Sequence, residues 1–135
     1  MKSQLQDKNR DYTYLSSHRA AVGMHTEKLE GDQHKLTIAL AFCNYRDQFT
    51  RRKARLILDG RLSHRLAGND TRLTFTTLYY GEQPRNEVFY QIVDAVRENL
   101  HEGRLAFARP HRAIVSAVHA TLVALHAKRE PQIVG

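Results

Sequence analysis

An α+β domain built on a small sheet is the fold class this sequence predicts, and three features predict it. The first half alternates with a period of two, as half-buried strands do. A basic, helix-like segment then interrupts the strands. Past Gly81 the apolar period lengthens to that of amphipathic helices. The order is β-β-α-β-α-α, giving a small mixed sheet of three strands, or four if residues 12–20 join it, with helices on at least one face.

Residues 1–11 are polar, lack an apolar core and read as a flexible tail; 12–135 read as one α+β domain. Tyr12–Ala20 fits a short helix or an edge strand equally well. Val22–Leu29 reads as a half-exposed strand, turned by Glu30-Gly31-Asp32-Gln33 into the strongest strand, His34–Cys43. There Leu36, Ile38, Leu40 and Phe42 fall on one face, while Thr37, Ala39, Ala41 and Cys43 fall on the other. A strand apolar on both faces is central, and its small-residue face would let a helix pack closely.

The segment from about 46 to 65 reads as a helix. Phe49, Leu56 and Ile57 share one stripe of its wheel, Arg51, Arg55 and Arg65 another, with Lys53 near the apolar stripe. Gly60 or Gly68 is expected to end the helix, a break near Gly60 with a second turn to Leu66 being favoured. Leu73–Tyr80 reads as a strand, and the intervening helix permits a right-handed parallel crossover. Asn86 suits the N-cap of a helix carrying Phe89, Ile92, Val93, Val96 and Leu100 on one stripe, closed by Gly103. Pro110 suits the first turn of a final helix with Ile114, Val118, Leu122 and Leu125 inward.

The chain has 135 residues, a formal charge of +7 and an isoelectric point near 9.9. From Asn44 to Arg72 it carries eight Arg or Lys against three Asp, a local surplus of five. Concentrated positive charge on a rigid element suits a polyanion or an acidic protein face. The expected function is therefore non-enzymatic nucleic-acid binding by phosphate contact from Arg46, Arg51, Arg52, Arg55, Arg61, Arg65 and Arg72. The alternative is a protein-interaction or inhibitor module that docks its basic face on an acidic partner. The bland reading is a solvated helix face, its arginine stems covering apolar surface and its acids offering local pairs. Tyr45 and Tyr79 are the stacking candidates for unpaired bases, although Tyr79 and Tyr80 must point to opposite faces of their strand. Arg109, His111 and Arg112, at the start of the last helix, are minor phosphate candidates.

Other chemistries find less support. The connection from Gly103 to Arg109 is too long for a helix-turn-helix. Eight histidines show neither His-x-His nor His-x-x-x-His spacing, and His119 and His126 lie about 10 Å apart along a helix. No metal site and no cofactor are expected. Cys43 would need His25, His34 or His64 as a base to act as a nucleophile; burial as a small hydrophobe is its ordinary role. One cysteine, no secretory leader and no membrane-length apolar run lead to the expectation of a cytoplasmic protein without a membrane partner. Exposed sheet edges make homodimerisation through an edge or a helix a further expectation.

Overall fold

The computed structural model describes residues 9–43, 48–81, 84–98 and 116–124. Four strands form one sheet in the order β1-β2-β3-β4: β1 Arg10–Leu15, β2 Ala20–Lys28, β3 Gln33–Phe42 and β4 Thr74–Tyr80. Helix α1 (Arg51–Leu66) connects β3 to β4, α2 (Arg85–Glu98) follows β4, and α3 covers residues 116–124. The α+β class stands, and the sheet departs from the mixed one expected while taking the four-stranded alternative. Every pairing is antiparallel, so α1 bridges neighbouring antiparallel strands and makes no parallel crossover. The ambiguous segment supplies strand β1 and the 3-10 turn Ser16–His18, making four strands. Strand β1 starts at Arg10, so Arg10 and Asp11 belong to the sheet.

Period-two alternation divides the core into two layers. On one face Val22, Met24, Leu36, Ile38, Leu40, Phe75 and Tyr79 pack against Val88, Phe89, Ile92, Val93 and Val96 of α2 and Val118 and Leu122 of α3. The expected inward residues of both helices are buried as far as they are described. α2 begins at Arg85, so Asn86 sits inside its first turn and does not cap it. Leu100, Gly103, Arg109, Pro110, His111, Arg112, Ile114, Leu125 and His126 lie outside the described residues. β2 is deeper than its sequence suggests, with Ala20 to Met24 all buried, because β1 covers its outer edge.

The opposite face is built from small residues, Ala21, Ala39 and Ala41, over which α1 lays Ala54, Leu58 and Leu62. Gly23 sets the approach: a Cβ there would stand 3.3 Å from Leu58 Cβ. The tight seat anticipated from the small face of β3 is thus present. The stripe expected to fill it is not. Leu56 and Ile57 are 65% and 42% exposed, and the buried stripe is Ala54-Leu58-Leu62 at i, i+4, i+8. Phe49 precedes Thr50, the N-cap, so it lies outside the helix whose phase it seemed to set. α1 also runs unbroken through Gly60 and ends at Leu66, with Ala67 as its C-cap and Gly68 beyond it. Among the described residues, no helix is long and apolar enough to cross a membrane.

Candidate functional site

α1 places the basic residues of the middle third, and it does not place them together. Arg51, Arg52 and Lys53 form its first turn, all exposed, with no acidic residue among them. Thr50 caps that turn, its Oγ1 accepting from the Lys53 amide at 3.2 Å. A helix start already carries partial positive charge, so each cation there costs about 0.3–1 kcal/mol at low ionic strength. Lys53 is exposed, one turn before Ile57.

Arg51, though exposed, and Arg55 reach the edge of the sheet. The Arg51 guanidinium lies over the Tyr14 ring, 5.5 Å from its centroid, and that of Arg55 over Tyr12 at 4.5 Å. Asp59 is the hub beneath them. It accepts from Arg10 Nη1 at 2.9 Å and from the Tyr12 hydroxyl, and Arg55 Nε stands 3.8 Å away. Arg10 also donates from Nη2 to Ser63 Oγ and from Nε to His25 Nδ1, both at 3.2 Å. Burial, then the Asp59 contact, raises the Tyr12 hydroxyl to about 12. Burial likewise raises Tyr14, and burial together with Arg10 lowers His25. The network fastens β1 to α1.

The C-terminal arginines turn to the opposite side. Arg61 is half-buried and donates to the Leu40 carbonyl; burial, then the nearby charge of Arg72, lowers its pKa. Arg65 donates to Thr76 Oγ1 at 3.3 Å and pairs with Asp70 at 3.6 Å. Arg72 is exposed. The expected single outward ridge therefore resolves into an exposed cationic turn at one end of α1 and sheet-bound guanidinium groups towards the other. Arg46 and Tyr45 lie outside the described residues.

The stacking candidate Tyr79 needs correction. It is 4% exposed and packs in the α2 layer, because its strand parity turns it away from α1. The aromatic rings beside the arginines are instead Tyr12 and Tyr14. Their signal was the alternation Arg10-Tyr12-Tyr14, legible once this segment is read as a strand.

A pocket of about 150 Å³ opens beside the cationic turn. Phe42, Phe49, Ala54 and Ile57 supply its apolar wall. Gln48, Thr50 and Lys53 add polar groups, and Cys43 lines it as well. Arg19 Nη2 stands 3.7 Å from Cys43 Sγ, whereas the three candidate bases are engaged elsewhere. His25 accepts from Arg10, His34 faces the Tyr79 ring and His64 bonds Thr71. Among the described residues no group of three His, Cys, Asp or Glu converges on a metal position. No protein-family model, curated protein or solved structure matches the chain.

Proposed function

We propose that the protein binds nucleic acid through phosphate contacts made by the first turn of α1. The observation that carries this reading is the triplet Arg51-Arg52-Lys53 at N1 to N3 of a capped helix, without an acid in that turn. Local electrostatics alone disfavours cations at that position, and a polyanion bound there would reverse the sign of the effect. Arginine suits the contact, since its planar fork pairs with two phosphate oxygens at once. Arg55 extends the site along β1. Arg61 and Arg65, tied to the sheet, contribute background potential more than direct contact. Such contacts position a strand without reading its bases.

Salt dependence tests the reading. Anisotropy of a labelled single strand should give log K against log salt a slope of about −2 if three cations each neutralise one phosphate. Absence of binding to single strands and duplexes at low salt would remove the proposal.

A second reading is favoured by one specific observation. Leu56 and Ile57, both exposed, stand one turn after Arg52 and Lys53, giving a mixed apolar and basic strip. An acidic protein surface with apolar contacts would match it. Recovery of the same protein partner with and without nuclease treatment distinguishes this reading from the first.

A further inference from the structure

The pocket beside the cationic turn is used by neither reading so far, and its size and walls narrow what it can hold. A cavity of about 150 Å³ accepts one six-membered aromatic ring. Phe49 and Ile57 favour a ring's apolar faces, and Ile57 stands 42% exposed beside the opening. Gln48 brings an amide that donates and accepts, matching the mixed edge of a nucleobase. Lys53 lines the pocket and also belongs to the turn Arg51-Arg52-Lys53, so positive charge lies next to the opening.

We propose that this pocket takes one unpaired pyrimidine base of a single-stranded nucleic acid whose flanking phosphates lie on Arg51, Arg52 and Lys53. The inference rests on the nucleic-acid reading and deepens it from polyanion to single strand. Charge complementarity selects the occupant: an apolar ring entering here arrives beside Lys53, in the same helical turn as Arg51 and Arg52, and a nucleotide carries both the ring and the anion. A duplex keeps its bases stacked and paired, so it reaches the cations and leaves the pocket unfilled. A pyrimidine places its single ring against Phe49 and Ile57, whereas the second ring of a purine extends towards the open mouth of the pocket.

Cys43, the one cysteine of the chain, lines the pocket and reports on its occupancy. The experiment measures its alkylation by iodoacetamide in the intact protein at low salt. The arms are no addition, oligothymidylate, oligoadenylate, duplex, inorganic polyphosphate and an acidic, phenylalanine-bearing peptide, each at saturating concentration. Oligothymidylate should slow the reaction about tenfold or more, in keeping with the weight of a single base contact. Polyphosphate, duplex and oligoadenylate should leave it near the free rate. Strands that bind without protecting Cys43 overturn this inference and leave the phosphate reading intact. Failure of every strand to bind overturns both. A thiol inert in the free protein means the pocket does not admit a small reagent, which also overturns it. Protection by an acidic, phenylalanine-bearing peptide and not by the strand assigns the pocket to a protein partner, with the same consequence. Gln48→Ala, an exposed change, should reduce the preference for thymidylate over adenylate while binding to polyphosphate is unchanged; an unaltered preference contradicts the role of the amide.

Discussion

Gly23 decides how closely α1 can sit. Its absent Cβ admits Leu58 and Leu62, both fully buried, onto the small face of the sheet. Gly23→Ala puts a carbon 3.3 Å from Leu58 Cβ and should cost about 1–3 kcal/mol by overpacking, read as a lower denaturant midpoint. Tyr12 gives a pH signature at the same scale. Its hydroxyl rises from 10.0 to about 12, through burial first and the Asp59 contact second, so folding favours the protonated phenol. That contribution is complete below pH 10 and is lost as pH climbs through about 12. The stability difference between wild type and Tyr12→Phe should therefore be constant below pH 10 and shrink above it, followed by denaturant melts across that window. That the Ala39 and Ala41 face of β3 would seat a helix closely was legible from the alternation; which helix, and the part of Gly23, were not. The Asp59 hub was not, because it joins Arg10 and Asp59 across 49 positions and only the folded chain brings them within 2.9 Å.

α1 shows what a helical wheel can and cannot establish. The apolar content of Leu56, Ile57 and Leu58 leaves the inward direction open by most of a turn, and the sheet resolves it in favour of Ala54-Leu58-Leu62. An alanine at the head of the stripe suits a floor of alanines, where a larger side chain would hold the helix away. The continuity of α1 through Gly60 was likewise hidden, since glycine weakens a helix without forcing it to end. Gly60 is exposed, and a methyl group added there would meet nothing within 4 Å, so Gly60→Ala should stabilise the protein by about 0.5–1 kcal/mol. A higher melting temperature would show it; a lower one would mean that Gly60 marks a bend the helix needs. Strand β1 was the element least legible in sequence. Among the described residues its edge position leaves one side without a neighbouring strand, and its alternation of Arg10, Tyr12 and Tyr14 is polar as much as apolar.

For the whole molecule, the sheet separates two kinds of surface. One face is closed by α2 and α3 over the larger apolar core, and the other carries α1 with its cations. The surplus of charge in the middle third was legible as composition. Its division was not, because composition does not say that Arg61 meets a backbone carbonyl and Arg65 a threonine while Arg52 and Lys53 stay exposed. The cations that end α1 near its last turn obey the helix dipole, and those that begin it oppose the dipole, which makes stability and binding separable. Arg52→Glu with Lys53→Glu should raise the melting temperature, each change relieving about 0.3–1 kcal/mol. The decisive measurement is the affinity of that double variant for a labelled single strand at low salt. A loss of about tenfold or more in a protein at least as stable as wild type is the predicted result; wild-type affinity in the variant would contradict the account.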